Sequence, residues 1–126
     1  MKAVNQIAKF FLRFRYPVSL PEDIGCALGV KFPLIVTFDD FFHQLTSPSC
    51  HPTRLKRMMP RKEVEGIFSN APKIERFQQN TLVSYYFNQG WIELDLKYGP
   101  NDELRRIYLH HQRIQNGNEG HELPLK

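Results

Sequence analysis

Leu82 to His111 reads LVSYYFNQGWIELDLKYGPNDELRRIYLHH, and this stretch decides the fold. Runs of alternating apolar and polar residues separated by two turn signals are the pattern of an antiparallel meander. Gln89-Gly90 offers a two-residue turn with a glycine for positive φ, so Asn88 is expected opposite Trp91. Phe87 then faces Ile92, Tyr85 faces Leu94 and Val83 faces Leu96. The second turn, Gly99-Pro100-Asn101-Asp102, pairs Tyr98 with Glu103, Leu94 with Ile107 and Ile92 with Leu109. Both turns put the same residues on one apolar face. Side chains alternate along a strand, so a one-residue slip in either hairpin would destroy that face.

The opposite face collects Ser84, Tyr86, Trp91, Glu93, Asp95, Lys97, Arg106, Tyr108 and His110, with Asp95 expected across from Arg106. Large amphipathic rings among charges are the composition of a recognition surface. Tyr86, Trp91, Glu93, Asp95, Arg106, Tyr108 and His110 are therefore the candidate protein-binding residues. The competing reading is a solvated sheet surface whose cross-strand ion pairs contribute little. In this layout the last strand, carrying Arg105, Arg106, His110 and His111, is an exposed edge. Such an edge could pair with a partner strand or with a second copy of the chain, giving a homodimer.

Working outward, Val4, Ile7, Ala8, Phe11 and Phe14 follow helical spacing over residues 3–14, and Pro17 ends that run. Ser19 is placed to cap a second helix, with Pro21 in its first turn, Glu22 and Asp23 against its positive end, and Gly29 as its terminator. Lys31 to Thr37 reads as a short strand that Pro33 confines to an edge or to a strand's first residues, and Thr37 is placed to cap a third helix through Phe38, Phe41, Phe42 and Leu45. Thr46 to Pro52 is a loop. A further helix starts near Pro60 and uses Val64, Ile67 and Phe68, after which Ile74 and Phe77 suggest one more helical turn. After Ile114 the stretch Gln-Asn-Gly-Asn-Glu-Gly-His-Glu lacks apolar residues to bury, and the end of the chain reads as a mobile tail. The expected architecture is thus α+β: a single domain over 1–114, with N-terminal helices packed on one face of a C-terminal three- or four-stranded antiparallel meander, and a flexible tail over 115–126.

At 126 residues and 41% hydrophobic, the chain is large enough for one core. Two cysteines, Cys26 and Cys50, are too few for a disulfide framework and read as free thiols in a cytoplasmic protein. Lys9, Arg13 and Arg15 interrupt the N-terminal apolar run, and no long apolar span follows, so neither a signal peptide nor a membrane is expected.

Charge is uneven: residues 1–62 carry ten Lys/Arg against four Asp/Glu, whereas residues 63–126 carry seven against nine. Arg54, Lys56, Arg57, Arg61 and Lys62 concentrate five cations in nine residues. A density of this kind attracts a phosphate backbone, which makes nucleic-acid binding the alternative function and these five its candidate contacts.

Catalytic constellations are weak. Asp39 and His43 stand one helical turn apart, a spacing that suits a carboxylate-oriented imidazole but equally suits capping and surface pairing. Cys50-His51, with His43 or Cys26, matches no compact zinc pattern, and His110 and His111 alternate across a strand. Gly25 to Gly29 lacks the spacing of a phosphate loop. No metal, cofactor or catalytic residue is therefore assigned. Several small-domain families share this element order, including cone-shaped ligand-binding folds resembling nuclear transport factor 2, and no residue motif selects one. A small-ligand or enzymatic pocket in a cone-shaped fold is the third reading. The first remains a non-enzymatic protein-interaction module.

Overall fold

A computed structural model describes residues 18–32, 37–112, 114 and 120–125. Among these residues the chain forms α1 (Pro21–Leu28), α2 (Phe38–Leu45), α3 (Arg61–Ile67), β1 (Lys73–Arg76), β2 (Asn80–Phe87), β3 (Gly90–Tyr98), β4 (Leu104–His110) and β5 (His121–Leu123). The five strands form one antiparallel sheet in chain order, with the helices preceding them. The α+β architecture expected from the alternation is the one observed. The sheet, however, has five strands rather than three or four.

Both extra strands replace other expectations. Ile74 lies in β1, where Lys73–Arg76 pairs with Thr81–Ser84, because bonding to the free edge of β2 satisfies more backbone than an isolated helical turn could. At the other end, His121–Leu123 pairs with Ile107–Leu109 and buries Leu123, so part of the stretch read as tail belongs to the sheet. The β4 edge proposed for partner pairing is consequently occupied at those positions by this chain's own β5. The expected helix over 3–14 lies outside the described residues, as do residues 33–36 of the expected edge strand.

Each hairpin keeps its predicted faces but slides by two residues. Tyr85 pairs with Ile92, Val83 with Leu94 and Thr81 with Leu96, so the β2–β3 turn is Asn88-Gln89. Gly90 does adopt positive φ (112°), but after the turn rather than within it. In the second hairpin Leu94 faces Leu109 and Leu96 faces Ile107, with an irregularity at Lys97/Tyr98 that brings Tyr98 opposite Leu104. Asp102 there takes φ 56°, a conformation that Asp tolerates. A shift of two preserves side-chain orientation, which is why the apolar face was legible and its register was not.

That face holds the core. Val83, Tyr85, Phe87, Ile92, Leu94, Leu96, Ile107 and Leu109 are all buried against Ile24, Ala27 and Leu28 of α1, Phe41 and Leu45 of α2, and Val64 and Phe68 near α3. Thr37 caps α2 as expected, its hydroxyl accepting from Asp40 N at 3.1 Å. The α1 start differs: Leu20 is the cap residue, and its N–H donates to Asp23 Oδ2 at 2.8 Å. Ser19 instead joins the sheet margin, donating its N–H to Tyr86 O at 2.7 Å and accepting from Tyr86 N through Oγ. Two bonds to an otherwise unpaired strand edge outweigh the single bond of a cap.

Candidate functional site

The outer face of the sheet, away from the helices, is organised by paired rings and alternating charges. Tyr86 and Trp91 occupy directly opposed positions on β2 and β3, and their ring centroids lie 5.2 Å apart at 56°. The Lys73 ammonium sits 5.9 Å from the Trp91 ring centre and also pairs with Glu75 at 3.3 Å. On β4 the Tyr108 ring lies beneath Lys97 at 5.4 Å, and its hydroxyl accepts from Arg106 Nη1 at 3.1 Å. Cation-over-ring contacts of this kind contribute about 0.5–1 kcal/mol at exposed sites.

The two-residue slide rearranges the charges. Asp95 faces Tyr108, not Arg106, and Arg106 faces Lys97. Like charges directly opposed repel, and here each cation has an acid of its own. Asp95 Oδ2 lies 3.8 Å from Lys97 Nζ, while Glu122 on β5 lies 3.9 Å from Arg106 Nε. Asp95 also accepts from Asn80 Nδ2 at 3.0 Å. Glu93 is opposed to His110 across β3 and β4.

Of the seven residues picked from sequence for this surface, Trp91, Glu93, Asp95 and His110 are half-buried and Arg106 is exposed. Tyr86 and Tyr108 retain only 8% and 6% exposure, with Ser84 at 3%. The two tyrosines thus form the base of the face, and the charged residues with Trp91 form its accessible layer. Lys73 and Lys97 complete the constellation; Lys73 was missed because its strand was read as helix.

The basic segment is divided by its contacts. Arg54 Nη1 donates to Cys26 O at the end of α1, at 2.9 Å. Arg61 is held in a network in which Nε donates to Glu65 Oε1 at 2.9 Å, Nη1 to Gln78 O at 2.9 Å, and Nη2 to Thr81 Oγ1 at 3.1 Å. Nη2 also donates to the Phe77 and Asn80 carbonyls. Glu65 in turn accepts from Arg76 Nε at 2.6 Å and from Thr81 Oγ1 at 2.9 Å. Burial would raise the Glu65 carboxyl, but the donors Arg61, Arg76 and Thr81 hold it below its ordinary range. Lys56, Arg57 and Lys62 remain exposed.

Tyr98 closes this network from below. The Arg61 guanidinium stands 4.7 Å above its ring, and its hydroxyl is buried near Thr81 with no well-formed hydrogen bond among the described residues. Burial pushes its pKa up to about 12. An unpaired buried hydroxyl costs stability, so Tyr98→Phe is expected to be neutral or to stabilise by up to about 1 kcal/mol. Chemical denaturation of the two proteins checks this; a loss above about 1 kcal/mol would show that the hydroxyl has a partner.

The remaining sequence candidates do not converge. Asp39 and His43 are both exposed on α2. Cys50 is buried while Cys26, His43 and His51 are exposed, and among the described residues no group of three or more His, Cys, Asp or Glu could hold a metal ion. His111 is structural: its ring lies 4.9 Å from Phe42 and 5.6 Å from Phe38, and Nε2 lies 3.1 Å from Gln89 O in the β2–β3 turn. Among the described residues no helix is long and apolar enough to cross a membrane.

Among the described residues, fold and site define an α+β protein whose helices pack on one face of an antiparallel meander, with rings and charges on the other. No protein-family model, curated protein or solved structure matches the chain.

Proposed function

We propose that the chain is a small non-enzymatic interaction module of the cytoplasm that engages a partner protein through the outer sheet face. Trp91, Glu93, Asp95, Arg106 and His110 are its contact residues, and Tyr86 and Tyr108 hold them in position. The observation that carries this reading is the Tyr86–Trp91 ring pair, fixed at 5.2 Å on neighbouring strands beside Lys73, with Glu93, Asp95 and Lys97 following on the same face along β3. Rings and charges already ordered before binding lose less entropy in a complex, which is how a small face gains affinity. Interleaved charges of both signs favour a partner with a complementary mixed pattern and disfavour a uniform polyanion.

The nucleic-acid alternative rests on fewer side chains than the sequence offered. Arg61 is committed to Glu65 and four backbone or hydroxyl acceptors, and Arg54 to a helix carbonyl. Lys56, Arg57 and Lys62 are left for phosphate contacts.

Affinity recovery of tagged protein from native lysate, with and without nuclease, tests both readings when run beside Trp91→Ala and Arg106→Glu. A stoichiometric protein that survives nuclease and is lost with both variants, while their melting curves hold, is the expected result. Retention of that protein by both variants would remove this face from consideration. Recovery of nucleic acid that falls steeply with salt would move the function to the basic segment.

A further inference from the structure

Beyond the sheet face, the junction between the end of α1 and the loop leading towards α3 encloses an open cavity of about 410 Å³. Its floor is apolar: Leu55 and Cys50 are 1% and 6% exposed, and Val30 and Pro52 complete it. Burial raises the Cys50 thiol above its ordinary value, so it contributes a neutral, apolar sulfur. The rim is basic. Lys31, His51 and Lys56 line it, and among the described residues no carboxylate does. All three are exposed, and neither lysine joins an ion pair among the described residues.

A helix C-terminus ordinarily repels anions through its free carbonyls. Here three of the last four, those of Gly25, Cys26 and Leu28, are occupied. Gly25 O accepts from Gly29 and Val30 N–H, Leu28 O accepts from Thr53 and Arg54 N–H, and Gly29 O accepts from Thr53 Oγ1. Cys26 O accepts from the Arg54 guanidinium, which adds a full positive charge to the same corner. The αL conformation of Gly29 (φ 75°) makes this closure feasible, since a Cβ there would collide with Thr53 and Arg54. The cavity therefore combines an apolar floor, a cationic rim and a neutralised helix end.

We propose that this cavity binds a small amphipathic anion, with its apolar body on Leu55, Val30 and Cys50 and its acidic head between Lys31 and Lys56. The volume lies within the range of small-molecule sites, and the charge pattern excludes a cationic or strongly polar occupant. The site is separate from the outer sheet face, so it stands or falls independently of the interaction reading.

The probe is 8-anilinonaphthalene-1-sulfonate, titrated into the full chain labelled with nitrogen-15, beside the uncharged N-phenyl-1-naphthylamine. Anion-induced shifts are expected to concentrate on the amides of Val30, Lys31, Ser49, Cys50, Thr53 and Lys56. Lys31→Gln and Lys56→Gln are each expected to weaken the anion about fivefold, the size of one solvent-screened charge contact, while leaving the neutral analogue unchanged. Ser49→Trp, an exposed rim substitution, is expected to weaken both probes by filling the mouth. Shifts centred elsewhere, or unchanged anion affinity in both lysine variants, overturn the proposal. Equally, displacement of the anion by an oligoglutamate peptide with no loss on Ser49→Trp would mark a charged surface for acidic protein and overturn it.

Discussion

Replacing Arg61 by alanine is expected to cost about 2–4 kcal/mol, a large share of the roughly 5–15 kcal/mol that holds a domain together. Its guanidinium joins α3 to the β1–β2 turn through Glu65, Thr81 and the carbonyls of Phe77, Gln78 and Asn80. The Arg61 and Glu65 side chains are 16% and 13% exposed, so water replaces little of what is lost. Arg61→Lys is expected to recover less than half, because one ammonium cannot satisfy the planar fork of acceptors. Urea denaturation measures both, and a loss below about 0.5 kcal/mol for the alanine variant would reduce the network to surface pairing.

The same network sets an acid dependence. The folded Glu65 carboxyl titrates below its ordinary value, whereas in the unfolded chain it titrates near about 4.3. A carboxylate with a depressed folded pKa stabilises the fold fully above the unfolded value, and the contribution disappears as pH falls through the folded one. Stability should therefore fall below about pH 5 more steeply in the native protein than in Glu65→Gln. Parallel curves for the two proteins between pH 7 and pH 3 would contradict this assignment.

Phe41→Ala is expected to be still more damaging, at about 3–5 kcal/mol. Phe41 is fully buried, with ring centroids of Phe32, Phe87 and Phe38 at 5.2, 5.5 and 5.9 Å. Removing its ring leaves a cavity where α2 meets the sheet, and those neighbours are held by their own backbones. Phe41→Leu, which keeps most of the volume, is expected to cost about 1–2 kcal/mol. In a double-mutant cycle with Phe87→Ala the two losses should fall short of additivity by about 0.5–1.5 kcal/mol. Full additivity would mean that the rings do not interact beyond their burial.

Alternation from Leu82 to His111 determined by itself that this is an antiparallel meander and which face is apolar, because side-chain direction has a period of two. Cap chemistry likewise announced α2 through Thr37 and the end of α1 at Gly29. Both signals are local: each depends on residues within a few positions of one another. Register, strand number and the fate of each charge belong to the tertiary structure. Whether Asn88-Gln89 or Gln89-Gly90 forms the turn leaves every face unchanged, so no pattern in the chain distinguishes them. β1 and β5 are strands because β2 and β4 present free edges, and nothing within Lys73–Arg76 or His121–Leu123 declares this alone. Arg61 looked like one of five equivalent cations until folding brought Glu65, Thr81 and the β1–β2 carbonyls around it. The basic-rimmed cavity likewise joins Lys31 to Cys50 and Lys56, residues that only folding brings together.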